Sequence, residues 1–223
     1  VINDGGTVEI TAGQTEECAS LSLGVEASDS GTLDMQGGSL NVPTIMTIGR
    51  SGNGTVNAYN GAVLSAQDVV VAHLPASNGA LTVSGSGSTL TVAGDVAVGG
   101  NQSAAGGTAS LTVQDNAQIT VDGNLTIWNG ASLAIDGGRF TARTLDASDG
   151  GVVALTAGEV MIQSVVGDLV NTGCTLSPRT SPGLFDVQGN FTQEAGGTLV
   201  IELDGRTRGD GYDVLAVSGT MNL

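Results

Sequence analysis

The sequence contains no lysine, and its six basic residues, Arg50, Arg139, Arg143, Arg179, Arg206 and Arg208, stand against 22 carboxylates for a formal charge of −16. A surface of that sign repels a phosphate backbone and an anionic bilayer, which argues against nucleic acid as a partner and favours divalent cations or cationic surfaces. Aromatic residues are almost as scarce: Tyr59, Trp128, Phe140, Phe185, Phe191 and Tyr212 are the whole set in 223 residues. A sandwich or α/β domain of that length leans on large rings for buried area, whereas a stacked solenoid builds its interior from Val, Leu, Ile and Ala. The single histidine, His73, leaves no parts for a Ser-His-Asp or His-metal arrangement and reads as a turn or surface residue. Two cysteines, Cys18 and Cys174, are too few for a disulfide framework or a zinc site. No apolar run reaches the roughly 18 residues that a membrane-spanning helix needs. The sequence opens at Val1 with neither a starting Met nor a signal peptide, and so reads as a processed product or an excised segment of an exported protein.

Glycine, by contrast, is abundant, with 36 positions, and it recurs in front of short alternating segments. Gly6-Thr7-Val8-Glu9-Ile10, Gly31-Thr32-Leu33-Asp34-Met35, Gly54-Thr55-Val56-Asn57-Ala58 and Gly79-Ala80-Leu81-Thr82-Val83 set the pattern. Ser110-Leu111-Thr112-Val113, Ser132-Leu133-Ala134-Ile135, Val152-Val153-Ala154-Leu155 and Gly197-Thr198-Leu199-Val200-Ile201 continue it. Each period holds two further segments, as in Leu90-Thr91-Val92 followed by Val96-Ala97-Val98. Alternation with a period of two buries one face of each strand, and Gly, Asn, Asp and Ser punctuate the corners.

Three strands and their turns make one triangular coil of roughly 20 to 25 residues. The predicted fold is therefore all-β, a right-handed three-sided parallel β-helix over residues 1–223 as one domain, with almost no α-helix. About nine coils at roughly 4.8 Å each give a rod on the order of 43 Å long. Glycine is expected to open most coils because a tight corner requires positive φ. A β-sandwich is the competing architecture and would show more core aromatics.

The stretch Thr175-Leu176-Ser177-Pro178-Arg179-Thr180-Ser181-Pro182-Gly183-Leu184-Phe185-Asp186-Val187-Gln188-Gly189-Asn190-Phe191-Thr192-Gln193 resembles a phrase common in autotransporter passenger domains and related bacterial surface solenoids. The later Gly197–Gly205 and Tyr212–Leu223 segments, the second reading Tyr-Asp-Val-Leu-Ala-Val-Ser-Gly, resemble the phrases that follow it there. The resemblance covers about 50 residues closely and earlier coils by pattern. It implies a right-handed β-helix outside the cell or at a bacterial cell surface, of the kind used as stalks, adhesins and fibres without chemistry of their own. No membrane β-barrel follows Leu223 in the sequence, so outer-membrane self-transport is not implied.

Residues that could carry chemistry are few. A polysaccharide lyase or hydrolase on this fold needs carboxylates for acid/base or calcium work and a nearby cation, for which Asp136, Arg139 and Arg143 are the best set. The plainer reading of these three is a solvated face with one surface ion pair. Asp204-Gly205 with Asp210-Gly211, or Asp146 with Asp149, offer oxygen ligands for calcium but lack the Gly-Gly-x-Gly-x-Asp repeat of calcium rolls. No other cofactor is expected. Arg208-Gly209-Asp210 spells an integrin-type tripeptide in a predicted loop, and Asn53, Asn101, Asn124 and Asn190 open N-x-Ser/Thr sequences; both patterns arise readily by chance here.

Stacking places Cys18 in the first coil and Cys174 in the eighth, about 30 Å apart and beyond disulfide reach, so two buried free thiols are expected. The sharper alternative is a link between neighbouring molecules. A terminal coil offers unpaired strand edges and normally carries a polar cap. The first strand brings Val8 and Ile10 at once, and the sequence closes on Val217 and Leu223 without a charged helix or a proline plug. Open ends of that kind invite head-to-tail pairing, so the expected partner is a second copy or a host or cell-surface ligand.

Overall fold

A computed structural model describes residues 1–223. Strands make up every regular element, with no helix, and they stack in parallel as a β-solenoid of about eight turns, close to the nine coils expected. Every strand pairing is parallel, which rules out the antiparallel sandwich.

Three faces build each coil. The first is formed by Gly6–Thr11, Ser30–Gln36, Asn53–Tyr59, Asn78–Ser84 and Thr108–Gln114, and continues into the opening residues of Ala131–Asp146 and Val152–Val166. The second starts at Thr15–Glu17, and its strands run on around a corner into the third face, as in Ser39–Ile48 and Gln118–Ile127. The pairing register shifts at those corners, between Val42 and Ile45 and between Val121 and Asn124, because a bend needs an extra residue.

Alternation puts one apolar residue per coil at each inner position. Leu40, Leu64, Leu90, Ile119, Phe140, Val160 and Leu176 lie in register on the second face, and Leu23, Ile48, Val71, Val98 and Ile127 on the third. These columns merge into one core of 48 buried residues running through the stack. Phe140, Phe185 and Phe191 are the largest fully buried side chains, so half of the scarce rings sit inside, where they bury the most area.

The glycines that open coils do not serve the purpose expected of them. Gly31, Gly54 and Gly79 have ordinary φ, but a Cβ at Gly31 would strike the Ile2 carbonyl and one at Gly54 the Gly49 amide. Close approach of successive corners is what requires glycine there. Positive φ falls elsewhere, at the residues that close the third face, Gly24, Gly49 and Gly99, and at other turns such as Gly38, Gly61 and Gly85. Ala72, in register between Gly49 and Gly99, accepts the same conformation at φ 56°, which costs an L-residue about 1–2 kcal/mol.

The C-terminal coils depart from the sequence reading. Thr198 and Leu199 pair with Thr175 and Leu176 on the second face, not with the first-face series to which their alternation assigns them. First-face strands shrink here to Leu169–Asn171 and Phe191–Gln193, which with Met221–Asn222 form a separate three-stranded sheet. Asn171 causes the shortening. Its fully buried amide donates to the Cys174 carbonyl at 2.8 Å and accepts from the Cys174 amide at 2.9 Å, closing a corner three residues wide.

Candidate functional site

The N-terminal end of the stack is an apolar depression of about 380 Å³, with Val8, Ile10, Leu21, Leu33, Leu40 and Cys18 in its wall. Val8 is 43% exposed and Ile10 lies buried on the floor, so the structure brings together the end residues expected from the sequence. It also supplies a polar element that was not expected. Glu16 occupies the register position over Leu40, at the foot of an otherwise apolar inner column, and lines the depression with Glu9 and Glu17. A charge at an inner position of a terminal strand is one of the devices that blunt edge-to-edge association. Thr15-Glu16-Glu17 carries no apolar alternation, so only its pairing with Ser39-Leu40-Asn41 reveals it as a strand.

At the other end Val217 is half-buried over Val187, Met221 over Phe191 is 43% exposed, and Leu223 is 84% exposed. No charged residue takes an inner position in these last strands, so the two ends differ in character.

The Ser181–Gly183 turn and Asp213 form a clamp just before this end. Asp213, only 3% exposed, accepts hydrogen bonds from the Gly183 amide at 2.7 Å and the Glu202 amide at 2.8 Å. Ser181 Oγ lies 2.9 Å from Asp213 Oδ2 and 2.7 Å from Glu202 Oε2, within donating reach of either carboxylate. The Ser-Pro-Gly turn and the Tyr-Asp pair are thus one unit: a carboxylate fixes a turn from the preceding coil.

Both cysteines are free. Cys18 is half-buried at the N-terminal depression, whereas Cys174 is fully buried, and burial pushes its thiol up to about 11. Cys18 is raised as well, chiefly by burial. The structure therefore removes Cys174 from the surface on which an intermolecular link could form and leaves Cys18 as the one thiol able to make it. A maleimide at neutral pH is expected to modify one thiol per folded chain, at Cys18, and both in denaturant. Mass spectrometry showing equal native labelling of Cys174 would contradict this placement.

The proposed acid/base set does not converge. Arg139 lies 3.4 Å from Glu159, its neighbour in the next coil, while Asp136 accepts from Thr156 Oγ1 at 3.3 Å. Arg143 is exposed one corner away, in the same column as Asp122 and Arg179. Asp122, which the sequence reading passed over, holds Arg179 at 2.6 Å across the outside of the stack. Such exposed pairs contribute about 0–1 kcal/mol each.

Asp204 and Asp210 lie exposed in an irregular loop, and no three His, Cys, Asp or Glu side chains gather anywhere as a metal cluster. Arg208, Gly209 and Asp210 belong to the same loop. Asp146 caps its own turn by accepting from the Ser148 amide and hydroxyl, and Asp149 is exposed beside it. His73 sits half-buried in a turn. Asn101 likewise caps a turn, accepting from the Ser103 amide at 2.8 Å.

The chain matches no family model, no curated protein and no solved structure.

The largest concavity is one that the sequence reading missed. A shallow groove of about 770 Å³ runs up the first face, lined by Asn53 and Thr55, Asn78 and Ala80, Thr108 and Ser110, Asn129 and Ser132, and Val152 from five successive coils. Its residues stand in the sequence as Asn-Gly-Thr, Asn-Gly-Ala, Thr-Ala-Ser and Asn-Gly-Ala-Ser at the coil openings. Within one coil those residues only open a strand, and the in-register stack turns them into a continuous surface.

Proposed function

We propose that this chain is a non-catalytic structural or adhesive rod of an extracellular or bacterial cell surface, serving as a stalk or as a segment of a filament. The observation that carries the reading is the unbroken core of 48 residues, which runs from an apolar depression edged by Glu9, Glu16 and Glu17 at one end to the uncharged strands of Val217 and Met221 at the other. A solenoid of this kind gains stability from each neighbour it stacks on, so either end can be extended by a further coil of the same polypeptide or by another copy. The charge of −16 keeps such a rod soluble and makes a nucleic-acid partner unfavourable. The pairing of Arg139 with Glu159, and the separation of Arg143 from both, weigh against the lyase alternative. The resemblance of the Ser181–Gly183 and Tyr212–Asp213 segments to passenger domains supports a place outside the cell.

Small-angle scattering, together with assays on pectin and alginate in calcium, tests the reading. A rod-like profile with no unsaturated product is expected. A compact sphere, or turnover abolished by replacing Arg139 and Arg143, would overturn it.

A further inference from the structure

The first-face groove spans five coils, about 20 Å at roughly 4.8 Å per coil, and its volume of about 770 Å³ is that of a ligand site. None of its lining residues is charged, in a chain with 22 carboxylates. Within the lining, side chain bonds to side chain only where Asn78 Nδ2 donates to Asn53 Oδ1 at 2.9 Å. The hydroxyls of Thr55, Thr108, Ser110 and Ser132 are left for an external partner. Between them Ala80 and Val152 present carbon. Hydroxyl and amide groups at regular intervals, interleaved with apolar patches and free of charge, complement a chain of uncharged sugars, whose edges carry hydroxyls and whose faces carry C–H groups. An acidic glycan would meet the protein's negative field with no cation in the groove to receive it.

We propose that this groove binds a linear, neutral polysaccharide lying along the solenoid axis; the assignment rests on the adhesive form of the rod reading and supplies its ligand class. Successive coils then contact successive sugars, so affinity grows with chain length until the groove is full.

Calorimetric titration with cellohexaose, xylohexaose and N-acetylchitohexaose, with hexagalacturonate as the acidic comparison, tests it. At least one neutral hexasaccharide is expected to bind, more tightly than its own disaccharide. Ser110→Trp, which fills the middle of the groove, is expected to weaken binding at least tenfold, while Thr91→Trp on the exposed second face leaves it unchanged. Amide chemical shifts of the unmodified protein give a second readout, with perturbations at Thr55, Ser110 and Ser132 expected even if the Trp variant does not fold. The proposal is overturned if none of the three neutral hexasaccharides binds at millimolar concentration, if perturbations fall elsewhere, or if hexagalacturonate binds equally well. Scattering from the same samples separates the two ideas, because a rod that ignores sugar sinks the groove alone.

Discussion

Asp213→Ala is expected to undo the last coil of the solenoid. The variant strands the Gly183 and Glu202 amides, which now donate to the carboxylate at 2.7 and 2.8 Å, and removes a partner of Ser181. A buried donor left without an acceptor costs about 1–3 kcal/mol, and with the Gly183 amide buried and the Glu202 amide partly so the loss is roughly 2–4 kcal/mol. Because contacts in a stacked array are made mainly with adjacent coils, the damage should stay local. Limited proteolysis should cut the variant first between residues 200 and 212, with the earlier coils still protected, and urea should unfold the C-terminal region before the rest. Asp213→Asn keeps an acceptor oxygen and should lose less. An alanine variant as resistant as the parent would mean that the clamp holds nothing.

Phe140→Ala should be comparably severe, but cooperative. Phe140 is wholly buried in the second-face column, stacked between Ile119 and Val160, and the cavity left by a ring in such a place costs about 3–5 kcal/mol. The coil affected lies near the middle, so its failure separates two shorter stacks, each with a new exposed edge. Val217→Ala, at a half-buried end position, should cost well under half as much. Equal urea midpoints for the two variants would refute a continuous core.

The architecture was readable from Leu33, Val56, Leu81 and Leu111 because each follows its glycine or small residue by the same two-residue step, and inner columns follow directly from that step. What alternation cannot label is the face to which a strand belongs. Thr198-Leu199 reads the same on any of the three, and the shortened corner that decides the matter depends on Asn171, one buried amide among many turn-forming asparagines. Glu16 was illegible for a related reason, since its strand is recognised by the partner above it rather than by its own composition. The groove lay beyond reach because it belongs to no coil singly; Asn78 and Thr108 are separated in sequence and adjoin only in register. The clamp was not legible either, because a carboxylate satisfying amides of other segments, Asp213 on Gly183 and Glu202, shows only in the folded arrangement.

The direction of the interstrand hydrogen bonds has a mechanical consequence. Strands run around the circumference, so these bonds point along the long axis, and tension applied between the ends loads one layer after another in series. Under such a pull the weakest layer opens first and its coil peels away alone. Each released coil of roughly 20 to 25 residues exchanges about 4.8 Å of folded height for about 65–90 Å of extended chain. A tether built this way lengthens in small discrete yields rather than snapping, and so dissipates a sudden load while the remaining layers still hold.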